Sequence, residues 1–346
     1  MRVAIYGAGS LGTVLGAYIA KNAAEKGIDL GYGIELYNRN KAHTEALKKD
    51  GAHITGTIDF VQPVKAYFPE EMDGEFDYIF LMTKQLDNKN TVEMLKGHLK
   101  EDGAICTMQN GLPEPDIADS IGKERTLGCT IAWGANMYQP GCSELTSSTD
   151  ALTFGLGAPY PEGKKHVEPV KKILELMGPV QVEDNFIGAR WSKLLINAAY
   201  SGMSAVTNEN FGGVCMNKKA RRCAQMIMKE CIDVTDKAGI KIEPVQGKDI
   251  VKLFNWKSGF KKAISYALIP IAMKKHYGIR ASMLADLERG KLCEIDAING
   301  SVVKEGDKVN VDTPFCDLVV SIVHGFEKGD GKPGLENLAK FDALLK

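Results

Sequence analysis

Short apolar runs alternate with amphipathic stretches through the first half of the chain. The runs lie at 3–6, 34–37, 77–82 and 104–108, and a helical pattern at 11–21 follows the first of them. Strands that alternate with helices form βαβ units, whose strands lie parallel in one sheet. Further strand-like stretches would extend this sheet at 126–132, 142–147 and 152–155, before a helix at 166–177 and a last strand at 180–182.

After about residue 183 the pattern changes to long helical periods. These periods lie at 218–238, 263–275, 283–289 and 295–304. A chain of 346 residues has room for two domains. We therefore predict an α/β protein with two parts: a Rossmann-type doubly wound sheet at 1–183, and an all-helical substrate domain at 184–346.

Composition and charge narrow the class of protein. The chain is 44% apolar and 25% charged, as in soluble globular proteins. Lys and Arg (43) balance Asp and Glu (44), so we expect neither a nucleic acid nor a membrane surface as partner. The first residues lack a secretory signal, and the eight cysteines show no metal-binding spacing. We expect a cytoplasmic protein with reduced thiols and no metal site.

A glycine-rich string follows the first predicted strand and opens the first predicted helix. It contains Gly7, Ala8, Gly9, Ser10, Leu11 and Gly12, in the order G-x-G-x-x-G. In dinucleotide-binding folds the first glycine makes the tight turn, the second admits the pyrophosphate and the third allows close helix packing. The alternative is an ordinary strand-to-helix turn, which uses glycine only for its conformational freedom.

Three strand ends supply further candidates for cofactor binding. Arg39 follows the second strand, where an acidic residue would favour NAD and an arginine can bind the 2′-phosphate of NADP. Lys84 and Asn110 follow the next two strands, where ligands of α/β sheets bind. We therefore predict NADPH as the cofactor. The alternatives are that Arg39 and Lys84 are solvated loop charges and that Asn110 only forms a turn.

The helix at 190–201 carries a polar stripe on an otherwise apolar surface. At about 100° per residue the stripe contains Arg190, Lys193, Asn197 and Ser201. Such a stripe either faces solvent or lines a polar cavity that places Lys193 beside the cofactor. The two readings remain open at this point.

A second polar pattern lies at 282–300, which we interpret as two helices broken at Gly290. Ser282 can start the first helix, and Glu294 lies at the beginning of the second, where the helix dipole favours a carboxylate. Alternatively, both are only terminal helix residues.

Taken together in order, these motifs resemble those of the ketopantoate reductase family. The resemblance runs from residue 1 to about residue 325 and is carried by Gly7-Ala8-Gly9-Ser10-Leu11-Gly12, Thr83-Lys84, Gln109-Asn110-Gly111, Arg190-Trp191-x-Lys193-Leu194-x-x-Asn197 and Ser282-Met283-Leu284-x-Asp286-x-x-x-Gly290-x-x-x-Glu294-Ile295-Asp296-x-x-Asn299-Gly300. It implies an NADPH-binding Rossmann domain, a helical substrate domain and a small 2-oxo acid as substrate.

The resemblance also implies roles for single residues. Lys193 would be the general acid that protonates the ketone oxygen, and Glu294 would interact with the forming hydroxyl and with Lys193. Asn197 and Ser282 would contact the substrate, and Asn110 would lie between nicotinamide and substrate.

Several positions depart from the family pattern, among them Cys293, which stands where Thr is common. Ser201 and Ile279 stand where family members often carry Asn, which indicates a changed lining for the tail of the substrate. Three functions follow as hypotheses: NADPH-dependent reduction of 2-dehydropantoate to pantoate, reduction of another 2-oxo acid, and NADP(H) sensing without catalysis. The assembly is left open, with a homodimer as one candidate.

Overall fold

The computed structural model describes residues 1–28, 33–244 and 249–346. The chain forms two compact units. The first contains Met1–Gln109 and Pro113–Phe186, and the second contains Asn110–Leu112 and Ile187–Lys346. The turn Asn110–Leu112 therefore belongs to the second unit, although residues of the first unit precede and follow it in sequence.

The first unit is built around a mixed, mainly parallel sheet. The strands of the first unit, in chain order, are β1 (Val3–Tyr6), β2 (Ile34–Tyr37), β3 (Ala52–Gly56), β4 (Phe60–Gln62), β5 (Lys65–Tyr67), β6 (Phe76–Leu81), β7 (Leu99–Thr107), β8 (Thr126–Ile131), β9 (Ala135–Gln139), β10 (Cys142–Leu145), β11 (Phe154–Gly157) and β12 (Val180–Val182). The main sheet has the order β12-β11-β8-β7-β6-β1-β2-β5, and only the β8–β11 pair in it is antiparallel among the described strands. Helices of this unit are α1 (Ser10–Glu25), α2 (Lys41–Asp50), α3 (Asn88–Lys96), α4 (Glu114–Ile121) and α5 (Val167–Leu174).

Both faces of the main sheet are covered, which explains why its strands are continuous apolar runs. Val3 and Ile5 of β1 pack in one hydrophobic cluster with α1. Ala4 and Tyr6 point to the other face and pack with residues of α3 and α4. Strands buried on both faces are typical of parallel sheets flanked by helices. The predicted Rossmann-type sheet is confirmed.

One strand lies in a different place from the one we expected. The run at 142–147 was expected to extend the main sheet, but β10 belongs to a second sheet with the order β4-β3-β10-β9. Ser143 and Leu145 are buried, whereas Cys142 and Glu144 are half-buried. This alternation suits a sheet with one covered face better than the centre of a sheet covered on both.

The second unit is helical, as predicted. Its helices are α6 (Phe186–Ile196), which begins at the last residue of the first unit, α7 (Gly202–Thr207), α8 (Phe211–Met216), α9 (Lys218–Ala238), α10 (Ile250–Phe254), α11 (Gly259–Ala272), α12 (Ser282–Glu288), α13 (Ile295–Val309) and α14 (Pro314–Glu327). Across the described ranges, no helix is both long and apolar enough to cross a bilayer.

Helix α9 runs through the core of the second unit. Asn217 caps its first turn by accepting hydrogen bonds from backbone N–H groups, and Gly239 ends it with a φ of +70°. Its buried Glu230 accepts hydrogen bonds from the backbone N–H groups of Phe315 and Cys316, at 2.8 and 3.0 Å. A carboxylate of α9 thus satisfies donors at the start of α14.

Candidate cofactor and substrate sites

The glycine loop between β1 and α1 has the geometry that the sequence motif predicts for its first and third glycines. Gly7 has a φ of +100°, and a Cβ there would lie 2.5 Å from the backbone nitrogen of Thr83. A Cβ at Gly12 would lie 2.8 Å from the carbonyl oxygen of Gly7. Only glycine satisfies the positive φ and both close approaches, so these positions set the shape of the turn.

The second glycine of the loop differs, because it faces open space. A Cβ at Gly9 would meet no described protein atom within 4 Å. Gly9 is also the N-cap of α1 and has no side-chain cap, and the first turn of α1 carries no acidic residue. Helix N-termini attract phosphate through their N–H groups and dipole. The loop therefore leaves room for an anionic group where a pyrophosphate would bind, and a dinucleotide fits these residues.

The carbonyl oxygen of Ala8 anchors the loop from the protein side. It accepts a hydrogen bond from the side-chain amide of Asn38 at 2.6 Å and one from the hydroxyl of Thr13 at 3.1 Å. The ring of His43 also contacts it, at 3.1 Å. The glycine motif alone gives no sign of these partners. These contacts fix the orientation of the Ala8 carbonyl, and with it the backbone of the loop, without a ligand.

Arg39 lies at the carboxyl end of β2, next to the end of β1. It is exposed. Burial raises the pKa of Tyr6, at the end of β1, and the positive charge of Arg39 acts in the opposite direction. An exposed guanidinium beside the glycine loop can contact a phosphate on the adenosine ribose.

The ends of β6 and β7 are tied together by Gln109, to which the motif analysis gave no role. Its amide nitrogen donates to the carbonyl oxygen of Thr83 at 3.0 Å and to the side chain of Asn88 at 2.8 Å. Its Oε1 accepts from the hydroxyl of Thr107 at 3.0 Å. Lys84, the next residue after Thr83, is exposed at this edge. Gln109 therefore fixes the backbone from which Lys84 projects.

In the second unit, the polar stripe of α6 is mostly shielded from solvent. Arg190 and Ser201 are only 1% and 7% exposed, and Lys193 and Asn197 are half-buried. The stripe is therefore not a solvent-facing strip. Half-buried positions leave the ammonium of Lys193 and the amide of Asn197 partly accessible.

The stripe ends in a π-helical turn, Asn197–Ser201, which the sequence analysis did not predict. π-Turns occur often at functional sites and leave backbone carbonyls without their usual helical partner. The side-chain amide of Asn299, from α13, donates to the carbonyl oxygen of Ala198 at 3.1 Å. Gly202 permits this approach, since a Cβ there would lie 2.6 Å from Oδ1 of Asn299.

Glu294 and Ser282 lie on elements that pack against this π-turn, because α12 and α13 both contact it. Glu294 is buried and occupies the N-cap position of α13. Ser282 is exposed and is the first residue of α12, whose N-cap is the buried Ala281 instead. Gly290 separates the two helices with a φ of +64°, as expected of a helix break.

The two units thus hold the predicted residues in two groups. The first unit contains the glycine loop, Arg39 and Lys84. The second contains the remaining candidates: Asn110, Lys193, Asn197, Ser282 and Glu294. Within the described ranges, no group of three or more His, Cys, Asp or Glu side chains could hold a metal ion.

Comparison with known protein families gives two matches that follow one another along the chain. Residues 3–159 match the family model described as ketopantoate reductase PanE/ApbA. Residues 185–327 match the model for the C-terminal part of ketopantoate reductase PanE/ApbA. Together the two matches cover most of both units. The second match begins at residue 185, next to the boundary between the units at Phe186.

Curated relatives match over nearly their whole length. A 2-dehydropantoate 2-reductase of Pyrococcus horikoshii is 26% identical, with 96% of this chain and 99% of the relative covered. An enzyme of the same name from Archaeoglobus fulgidus is 27% identical, with 95% and 98% covered.

Solved structures share the fold. A ternary structure of D-mandelate dehydrogenase with NADH and anilino(oxo)acetate has a TM-score of 0.79 at 20% identity, covering 95% of this chain and 99% of that one. A ketopantoate reductase from Ralstonia eutropha JMP134 has a TM-score of 0.77 at 23% identity, with the same coverage. At these identities the likeness concerns the fold alone.

Proposed function

This chain belongs to the ketopantoate reductase family of nicotinamide-dependent oxidoreductases, and we propose that it catalyses the NADPH-dependent reduction of 2-dehydropantoate to pantoate. The observation that carries the proposal is the arrangement in the second unit. There Lys193 precedes a π-turn that packs against the helices of Ser282 and Glu294. That arrangement would bring a cation, a carboxylate and amides to one small polar region.

The residues for the cofactor lie in the first unit. The loop of Gly7, Ala8, Gly9, Ser10, Leu11 and Gly12 would hold the pyrophosphate, Arg39 the 2′-phosphate and Lys84 a phosphate or ribose. When bound, the reduced nicotinamide supplies the hydride for the carbonyl carbon of the substrate. The open space at Gly9 supports this assignment.

The protein's own part in the chemistry is to handle the negative charge that develops on the ketone oxygen. Lys193, as an ammonium, would stabilise that charge and donate the proton that completes the alcohol. Glu294 would accept a hydrogen bond from the forming hydroxyl and orient the ammonium. Its place at the N-cap of α13 suits a negative charge, because the helix dipole is positive there.

Three polar residues would bind the rest of the substrate. Asn197 is the first residue of the π-turn, four residues after Lys193, and Ser282 is exposed at the start of α12. Asn110 belongs to the same unit and would lie between nicotinamide and substrate. An amide, a hydroxyl and an ammonium together can bind a carboxylate next to a carbonyl.

A second candidate function is the reduction of another 2-oxo acid by the same machinery. Ser201 is buried in the π-turn, and Ile279 is exposed shortly before α12. Both stand where ketopantoate reductases often carry Asn, so the chain offers fewer amides to the hydroxyl group of ketopantoate. A 2-oxo acid with an apolar tail would suit Ile279 better.

Steady-state assays with NADPH and NADH against a panel of 2-oxo acids test the proposal. The panel contains 2-dehydropantoate, branched aliphatic 2-oxo acids and an aromatic 2-oxo acid. We expect the highest kcat/KM for 2-dehydropantoate with NADPH. A higher value for an apolar 2-oxo acid would establish the second candidate. Binding of NADPH with no turnover of any 2-oxo acid would overturn both and favour a sensing role.

For the assembly, we propose a homodimer. Helix α11 presents a row of exposed apolar side chains: Phe260, Ile264, Leu268 and Ile271. Contiguous apolar rows on a surface mark interaction sites. Light scattering after gel filtration should give a dimer that the double variant Phe260→Asp/Ile271→Asp converts to a monomer. Val61→Asp, at an exposed apolar position in the first unit, is the control. A monomeric wild-type protein would contradict the proposal.

A further inference from the structure

His43 is fully buried in the first turn of α2, and both of its ring nitrogens have protein partners. Its Nδ1 accepts a hydrogen bond from the backbone N–H of Gly141, in the turn between β9 and β10, at 3.0 Å. Its Nε2 lies 3.1 Å from the carbonyl oxygen of Ala8 and 3.0 Å from the hydroxyl of Thr13. The ring therefore bridges the second sheet and the glycine loop.

These contacts define the protonation state of the ring. A backbone N–H can only donate, so Nδ1 must carry a lone pair and the single ring proton must lie on Nε2. That proton points to the carbonyl oxygen of Ala8 and the hydroxyl of Thr13. A second proton, on Nδ1, would face the N–H of Gly141 directly. Burial lowers the pKa of His43, and its hydrogen bond to Ala8 acts in the opposite direction.

Ala8 is the second residue of the glycine loop, and its peptide group is shared with Gly9. The C=O and N–H of one trans peptide point in opposite directions, so fixing the carbonyl oxygen of Ala8 also fixes the N–H of Gly9, which donates to the carbonyl oxygen of Gly7 at 2.7 Å. The backbone N–H of Ala8 donates to the backbone carbonyl oxygen of Tyr37 at 2.9 Å, so the peptide group on the other side of Ala8 is also held. His43 thus acts on the peptide plane beside the open space at Gly9.

We propose that His43 is a positioning residue for the dinucleotide: the neutral ring holds the glycine loop in its binding shape, and protonation at Nδ1, which faces the N–H of Gly141, displaces the ring from this position and so weakens cofactor binding. This inference rests on the proposed function, because it assumes that the glycine loop binds the cofactor. It assigns His43 no contact with the cofactor itself.

Charged side chains are not among the causes of the lowered pKa of His43. The charged side chains of its own helix are all exposed, namely Lys41, Glu45, Lys48, Lys49 and Asp50. On α1 the first charged residue is Lys21, two turns beyond Thr13. The titratable groups flanking Gly141 are Tyr138, which is exposed, and Cys142. His53 of β3 donates its backbone N–H to the carbonyl oxygen of Gly141 at 2.9 Å, and its ring pairs with Asp59. β5 also packs against α2 and carries the exposed Lys65 and the half-buried Tyr67, and Arg39 after β2 is exposed too. The causes acting on the pKa of His43 are burial and a backbone hydrogen bond.

The test measures the dissociation constant of NADPH by calorimetry between pH 5 and pH 8, for wild type and three variants. His43→Gln keeps an amide donor in place of Nε2–H but cannot titrate, and His43→Leu removes the donor. His166→Gln is the matched control, because His166 is a second buried histidine of the same unit and its Nδ1 contacts Tyr78 instead of the loop. The 2′-phosphate titrates near pH 6, so each variant is compared with wild type at the same pH.

We expect wild-type affinity to fall by about tenfold relative to His43→Gln as the pH drops from 8 to 5. His43→Leu should bind about tenfold more weakly than His43→Gln at every pH, so that wild type approaches it at low pH. His166→Gln should follow the wild type. An unchanged ratio between wild type and His43→Gln across the range overturns the inference, as does an equal effect of His166→Gln. If the wild type binds no dinucleotide at any pH, the proposed function fails first.

Nitrogen NMR of the histidine rings in the wild-type protein gives a readout that does not depend on variants folding. His43 should show a protonated Nε2 and an unprotonated Nδ1 at pH 7, with acid titration that parallels the loss of NADPH affinity. The opposite tautomer, or a charged ring at pH 7, overturns the inference.

Discussion

The side-chain amide of Asn299 donates a hydrogen bond of 3.1 Å to the backbone carbonyl oxygen of Ala198, one residue into the π-turn that follows the helix of Lys193. The two residues lie on different helices of the second unit, 101 positions apart in the sequence. Glu294 occupies the N-cap of α13, and Asn299 lies within the same helix. This hydrogen bond therefore joins the helix that begins at Glu294 to the turn that follows Lys193.

Replacing Asn299 with Leu should lower the free energy of unfolding by about 1–3 kcal/mol, since the buried carbonyl of Ala198 loses its donor. The kcat should also fall, because the turn that carries Asn197 can shift. Urea unfolding and steady-state assays measure the two effects. Asn337→Leu is the control: Asn337 donates to the carbonyl of Val206 at 3.2 Å, at the far end of α7. It should lose stability and keep kcat, and a similar loss of kcat in both variants would contradict this view.

Two glycines of the loop, Gly9 and Gly12, should respond differently to alanine. Gly9→Ala should fold with unchanged melting temperature, because its Cβ meets no described atom, yet bind NADPH more weakly by tenfold or more (about 1.4 kcal/mol per decade). Gly12→Ala should lower the melting temperature, because its Cβ would lie 2.8 Å from a carbonyl oxygen. Thermal unfolding and calorimetry separate these outcomes. Full NADPH affinity in Gly9→Ala would show that the pyrophosphate binds elsewhere.

Arg39 should determine the preference for NADPH over NADH. A guanidinium facing the 2′-phosphate adds a charge-assisted hydrogen bond of about 1.5–3 kcal/mol, so the preference should be about tenfold or more in kcat/KM. Arg39→Ala should remove that preference by weakening NADPH alone. Lys49→Ala, at the other end of α2, controls for the loss of one exposed positive charge. An unchanged ratio in Arg39→Ala would exclude this residue as the specificity determinant.

Lys193→Ala should lower kcat by roughly 10²–10⁴-fold, the range for loss of a general acid, with little change in NADPH affinity. Glu294→Gln should slow the reaction less, because it misplaces the hydroxyl and the lysine without removing the proton donor. Lys229→Ala is the control, since it removes a partly buried lysine of α9 that pairs with Asp233 one turn away. If Lys193→Ala retains near-normal kcat, the proton comes from another group.

Glu230 should make the protein less stable as the pH rises towards neutrality. Burial raises the pKa of Glu230 from 4.5 to about 7. Between those values the native state binds more protons than the unfolded state, so the free energy of unfolding falls with rising pH, by roughly 3 kcal/mol in total. Glu230→Gln keeps an acceptor for the α14 backbone and removes the titration.

The difference in unfolding free energy between wild type and Glu230→Gln, measured in urea at pH 5, 6, 7 and 8, should therefore change steadily in favour of the variant. Glu305→Gln, in a helix of the same unit where Glu305 pairs with Lys308, serves as control and should show no such trend. A constant difference for Glu230→Gln would mean that its carboxyl titrates at an ordinary pKa.

Much of the fold could be predicted from the sequence because it depends on local patterns. The runs at 34–37 and 180–182 are strands and the period at 218–238 is a helix, with the predicted bounds. The loop glycines were recognisable for the same reason, since a positive φ at Gly7 and a close approach at Gly12 are properties of the backbone within one turn. The motif order was enough to identify the family.

What only the tertiary structure decided involves partners far apart in the sequence. The alternation at 142–147 indicates a strand, but its pairing with β3, some 90 residues earlier, places it in the second sheet. The roles of Gln109, His43 and Asn299 likewise depend on hydrogen bonds to distant backbone groups. Local propensity and periodicity report which face of an element is apolar, but a polar side chain acquires its role from the groups that folding brings within about 3 Å of it.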